Sequence, residues 1–285
     1  MTATRRLSSR DLRWSPACLM SPATAWQGKT IADRPVLVMV GLTGSGKTTT
    51  LDRLLGLLPI AALLPDRREL TDAMIIPAIT GAGTRPLRDR RERFKATAAF
   101  RDRYPGGMAE ILAGLECRVD LPDGLLVFDG LRGTAEVLFA AENLPHALFV
   151  ALRIGPAPRL LRLCGRGDAF DDASIGELAT KPQDGEQNRR EAVRDIFTAQ
   201  DFQALGDDEG MTRAIDALSV TSVPLDTIAR NAAIVVEESR HYDLDAALAV
   251  LDRRAANRTI VVDVESHDAE ATAEAIAAYV RRTII

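Results

Sequence analysis

The stretch Pro35-Val36-Leu37-Val38-Met39-Val40-Gly41-Leu42-Thr43-Gly44-Ser45-Gly46-Lys47-Thr48-Thr49 decides how the rest of the 285-residue chain is read. Val36 to Val40 is an unbroken apolar run, the pattern of a parallel strand covered on both faces. Leu51, Leu54, Leu55 and Leu58 then follow helical spacing. Between strand and helix stands Gly-x4-Gly-Lys-Thr, a loop form that cradles the phosphates of a nucleotide. Strand, turn and helix in that order place backbone N–H groups and a helix N-terminus around an anion. Gly41, Gly44 and Gly46 let the backbone turn tightly and approach the phosphates. In such a loop Lys47 reaches the outer phosphates and the Thr48 hydroxyl ligates Mg²⁺, with Thr43, Ser45 and Thr49 completing the cradle. The competing reading is a glycine-rich turn that binds nothing. Lysine is rare here (Lys29, Lys47, Lys95 and Lys181, against a cation set otherwise made of arginine), so a lysine at this position speaks for ATP and Mg²⁺.

Composition bounds the class. A net charge of −4 gives no general reason to expect nucleic acid as a partner. Cys18, Cys117 and Cys164 are few and odd in number, which fits reduced thiols and a cytoplasmic location. No apolar run approaches a membrane span. Residues 1–34 are rich in arginine and read as a flexible or loosely docked extension ahead of a single domain over 35–285.

Further along, Ile60 to Leu64 reads as a second strand, and a helix is expected over roughly Asp89 to Arg103. Leu125 to Phe128 reads as a strand ending at Asp129-Gly130, and Ala147 to Leu152 as the next. Residues 168–210 hold twelve acids against four bases and read as an inserted, partly helical lid within a wider insertion over 168–231. Two strand–helix units are expected after it. In one, Ala232–Val236 precedes a helix near 243–256; in the other, Thr259–Val264 precedes a helix capped by Ser266. Alternating strands and helices predict an α/β fold, a three-layer doubly wound parallel sheet with a helical, lid-like insertion. Ligands of such sheets bind at the carboxyl ends of the strands, where the Gly41–Thr48 loop and Asp129 fall.

Asp129 ends an apolar strand, the position of the aspartate that holds the Mg²⁺ shell in nucleotide-binding loops of this kind. The next residue is Gly130, where a motor ATPase usually places a glutamate to activate water. The site is therefore poorly equipped for hydrolysis as its main task.

From Asp129 onward the chain resembles the nucleoside monophosphate kinases, adenylate kinase in particular. The residues that carry the resemblance are Asp129-Gly130-Leu131-Arg132, the helix after Gly133, the strand Ala147–Leu152, and Arg162-Leu163-Cys164-Gly165-Arg166. It implies a P-loop NTPase core and phosphoryl transfer from ATP. It also implies that Arg132 contacts the transferred or acceptor phosphate, that Arg162 lies against adenine, and that Arg166 clamps ATP from the lid edge. Guanidinium forks suit both tasks. The chain departs from the pattern in a shorter loop before Arg132 and in lacking the monophosphate motif over 59–118. Arg159 and Arg162 also admit a plainer reading as solvated surface charges.

An acceptor needs its own cradle. The segment 65–118 carries a basic cluster over 85–103, and Arg85, Arg88 and Arg93 are its candidates for an anionic small molecule. A solvated helix face is the competing reading for each. Asp66 sits at the end of the second strand, where a kinase acting on a hydroxyl group keeps a carboxylate base; a turn aspartate after Pro65 is the alternative. Three functions remain open: a kinase acting on a small anion, a hydroxyl-directed kinase using Asp66, and a nucleotide-gated ATPase or switch acting on a partner protein.

Overall fold

A computed structural model of the protein describes residues 4–14, 30–81, 87, 90–165 and 186–284, with the backbone alone at 90, 91, 94 and 186. Its strands are β1 (Arg5–Arg6), β2 (Leu12–Trp14), β3 (Val36–Val40), β4 (Ile60–Leu63), β5 (Leu115–Cys117), β6 (Leu125–Leu131), β7 (Ala147–Arg153) and β8 (Thr259–Asp263). Six of them form one sheet in the order β1-β4-β6-β3-β7-β8, with every neighbouring pair parallel. The apolar run that opened the reading lies near the middle, and all five residues of β3 are buried. Fully burying a side chain of this size contributes about 1.5–3 kcal/mol, so β3 anchors both layers that flank it.

The alternation of β3 divides the core. Val36, Val38 and Val40 join a cluster with Phe128, Phe149, Val137 and Leu251, covered by the helices Thr134–Asn143 and Leu244–Ala255. Leu37 and Met39 face the other way, toward Leu54 of the Lys47–Leu54 helix and Ile276 of the Ala269–Ile284 helix. The result is α/β, a parallel sheet between helical layers, as the alternation of elements predicts.

The described part of the expected insertion is helical. Glu186–Ala199, Asp208–Ser219 and Leu225–His241 pack on Pro156–Cys164 around a third cluster that buries Leu160, Phe197, Ile215 and Val235. Over this part the expected insertion is a packed helical bundle.

Several local expectations give way to packing. Ala232–Val236 is not a strand but part of the Leu225–His241 helix. Its buried residues Ile228, Ala232, Val235 and Val236 recur every three to four positions, a helical rhythm hidden inside a continuous apolar run. Ser266 does not cap the last helix; Asp268 does, its carboxylate accepting from Ala271 N at 2.8 Å. β6 continues past Phe128 to Leu131, and its register against β3 shifts between Val38 and Val40. Residues 5–14, read as part of a loose extension, are docked. β1 pairs with β4, β2 pairs antiparallel with β5, and Leu7 and Leu12 are buried. Trp14 packs its ring on Phe100 and Tyr104, at centroid distances of 5.8 and 5.5 Å. Among the described residues no helix is long and apolar enough to cross a membrane.

Candidate functional site

The glycine-rich loop leaves β3 at its carboxyl end and passes directly into the Lys47–Leu54 helix. Gly44 and Gly46 have φ of 85° and 89°, the left-handed region that glycine enters without a Cβ clash. Space is tight at Gly44 as well, since a Cβ there would lie 3.1 Å from the carbonyl oxygen of Arg159 and 3.2 Å from Leu163 Cγ. Gly46 occupies the N-cap and offers no side-chain cap, so the first-turn N–H groups of the helix face outward for an anion. The Lys47 ammonium donates to the carbonyls of Gly41 (2.8 Å) and Leu42 (3.0 Å). Burial of this group, with Arg132 adding to the effect, lowers its pKa to about 7 against the partial opposition of Asp129 and Glu238.

A dense cluster of charges meets at Thr43. The Glu238 carboxylate, delivered by the Leu225–His241 helix, accepts from Thr43 N (2.9 Å) and Thr43 Oγ1 (2.5 Å). It also pairs with Arg159 Nη2 (2.7 Å) and Arg132 Nη1. Burial opposes its ionisation, but Arg132, Thr43 and Arg159 together hold its pKa below the ordinary carboxylate value. Arg159 is only 2% exposed, and its Nε donates to the Thr43 carbonyl at 3.0 Å. The surface reading of Arg159 therefore does not hold.

Arg132 stands on the corner after Asp129, which a second, half-buried pair braces. Arg67 meets Glu136 through two bonds of 2.7 and 2.6 Å and donates to the Gly130 carbonyl at 2.8 Å. Glu136 also accepts from the backbone N–H groups of Met108 and Arg132, both at 3.3 Å. Beside this corner lies a cavity of about 310 Å³. Arg67, Arg93, Arg101 and Arg132 line it together with Glu238 and Tyr242. The helical stretch 67–80 forms one wall and widens to a π-turn over Thr71–Ile75, just ahead of Pro77, which has no N–H to give to a regular helix. Along the loop itself, a cavity of about 360 Å³ is lined by Ser45, Gly46, Thr49, Arg162, Val264 and His267. Arg162 donates to the carbonyls of Ser45 (3.3 Å) and Val264 (2.6 Å), which leaves it against this cavity and not in open solvent.

The residues expected from the sequence therefore divide into four groups. Gly41, Thr43, Gly44, Ser45, Gly46, Lys47, Thr48, Thr49, Asp129, Arg132 and Arg162 gather at the carboxyl ends of β3 and β6. Arg93 reaches the first cavity but is paired with Asp72. Arg85, Arg88 and Arg166 lie outside the described residues, as does 168–185. Asp66 is placed differently. It is exposed and caps the Arg67–Leu70 turn by accepting from Glu69 N at 2.8 Å, and it lies beside Ser9 and Asp72, not in the cavity that Arg132 and Glu238 line. Asp66→Ala is expected to cost about 1 kcal/mol of stability through the lost cap, measured by denaturant unfolding. Loss of nucleotide-dependent activity without loss of stability would instead restore Asp66 as the base.

Sequence reading missed Glu238, Glu136, Arg67 and Tyr242. The available signal for the pairs was the placement of isolated acids in otherwise apolar helix faces. No family model matches the chain, and no curated protein matches it.

Proposed function

We propose that the protein is an ATP- and Mg²⁺-dependent phosphotransferase built on a P-loop core and acting on a small molecule. One observation carries this reading. Thr43 N–H, Arg132 and Arg159 converge on the Glu238 carboxylate, which lines a cavity with four arginines, while the same loop lines another cavity through Ser45, Gly46 and Thr49. The cavity at Ser45–Thr49 takes the base, with Arg162 along one wall. The phosphates then run over Gly44–Lys47 toward Thr43, and the acceptor occupies the cavity beyond Glu238. Its lining of Arg67, Arg93, Arg101 and Arg132, with Ile75 and Tyr242 among them, suits a small molecule with an anionic group and an apolar or aromatic part.

The Thr48 hydroxyl and Asp129 carboxylate are hard oxygen donors that would hold Mg²⁺, which would supply charge neutralisation for the phosphates. Lys47 neutralises the outer phosphates, and Arg132 and Arg159 stabilise charge on the transferred group. Such transfer rests on positioning and electrostatics. Gly130 leaves no glutamate beside Asp129 to activate water, which favours transfer over hydrolysis. If the acceptor is a hydroxyl, the carboxylates that line its cavity are Glu136, Glu237 and Glu238.

The decisive experiment offers γ-labelled ATP with nucleoside monophosphates, nucleosides, sugars and small acids. Label on an acceptor supports the reading. Free phosphate alone, or turnover that requires a partner protein, would replace it with a nucleotide-gated switch. The observation favouring a switch is the direct bond between the loop and the helical bundle through Glu238.

A further inference from the structure

Glu238 takes a set of donors that would equally serve a phosphate: a loop N–H, a hydroxyl and two guanidinium groups. The helix that carries it does not depend on this contact for its position, since Ile228, Ala232, Val235 and Val236 hold it in the third cluster. The carboxylate also borders the 310 Å³ cavity, so it has space to turn into when displaced. Direction matters. The cavity proposed for the base adjoins Ser45, Gly46 and Thr49, on the helix side of the loop, whereas Glu238 is bonded at Thr43, nearer the β3 side in the chain. A chain of phosphates entering from the base cavity reaches Glu238 only with its last member.

We infer that Glu238 is a specificity-determining residue that occupies the terminal-phosphate position, so that a nucleoside triphosphate must displace it whereas a diphosphate binds beside it. This rests on the nucleotide reading above. The two anions compete for Thr43, Arg132 and Arg159, and like charges cannot share them. Glu238 therefore weakens ATP binding selectively and sets the ratio of ATP to ADP affinity. Once displaced, it lies toward the acceptor cavity, clear of the transferred group.

The test measures Mg·ATP and Mg·ADP binding to the full chain by calorimetry, for wild type, Glu238→Gln and Glu238→Asp. Gln keeps the shape and removes the charge. Asp keeps the charge and withdraws it by one methylene. Glu238→Gln should tighten ATP by about tenfold or more and ADP by less than about threefold, as expected where the displaced state is at most about 10% populated. Glu238→Asp should move the ratio the same way by a smaller factor, which a general charge effect would not do. Equal tightening of both nucleotides, an unchanged ratio, or weakened ATP binding in a variant that unfolds thermally like wild type would overturn the inference while leaving the nucleotide reading intact. No nucleotide binding by wild type or either variant would overturn the nucleotide reading itself, and this inference with it.

Discussion

Lys47→Ala is expected to abolish the proposed phosphoryl transfer from ATP, lowering its rate by about 10³-fold or more, the scale of losing a preorganised cation at the transferring group. The fold should survive the change. The ammonium is turned onto the carbonyls of Gly41 and Leu42, and its burial cost is what pulls its pKa down, so truncation removes a desolvated charge and not a core contact. Normal thermal unfolding with lost transfer is the expected pair of results, and retained turnover would end the phosphotransferase reading. The same group predicts a proton linkage. With a pKa of about 7, Lys47 is largely neutral in the free protein at pH 8 to 9. A bound polyphosphate restores its charge. Binding should therefore take up a proton at pH 8 to 9 and almost none at pH 6, where Lys47 is already charged. Calorimetry in buffers of different ionisation enthalpy reads this directly. Stability carries the opposite trend: the cost of burying the charged form is present in full below pH 7 and eases as pH rises toward the ordinary lysine value.

What the sequence reveals and what it hides have physical causes. β3, its loop and the following helix are local features, and each is written in adjacent residues: a continuous apolar run, glycines at positive φ, and leucines at helical spacing. The parallel sheet follows from repeating such units. Glu238 could not be read in the same way, because its bond to the loop joins residues 195 positions apart in the chain. The apolar run Ala232–Val236 further disguised its helix as a strand. Asp66 shows the converse. A carboxylate at a strand end satisfies both the cap of a short helix and the position of a base, and only the packed structure separates the two. Arg159 sits among many arginines, and nothing local marks it as the buried one.

Glu136→Ala should cost about 3–5 kcal/mol of stability, the penalty for leaving a buried partner charge uncompensated. Glu136 is only 4% exposed and meets Arg67 through both oxygens. Burial works against its ionisation, yet Arg67 and the N–H groups of Met108 and Arg132 outweigh burial and hold its pKa below the ordinary value. Its contribution is thus present above the normal carboxylate pKa and fades as pH falls through the lowered one. Denaturant unfolding of wild type and Glu136→Ala at pH 7, repeated toward pH 3, should show the gap narrowing. The functional effect should exceed that of an ordinary destabilised core. Arg67 also holds the Gly130 carbonyl, and Glu136 holds the Arg132 N–H, so the pair fixes the corner on which Asp129 and Arg132 stand. Replacing both partners together, as Arg67→Met with Glu136→Leu, removes the stranded charge and should recover much of the stability. Transfer should stay impaired in that double variant, because the corner has lost its brace. Recovery of stability and transfer together would show that Arg67 and Glu136 only fill space between the sheet and its helices.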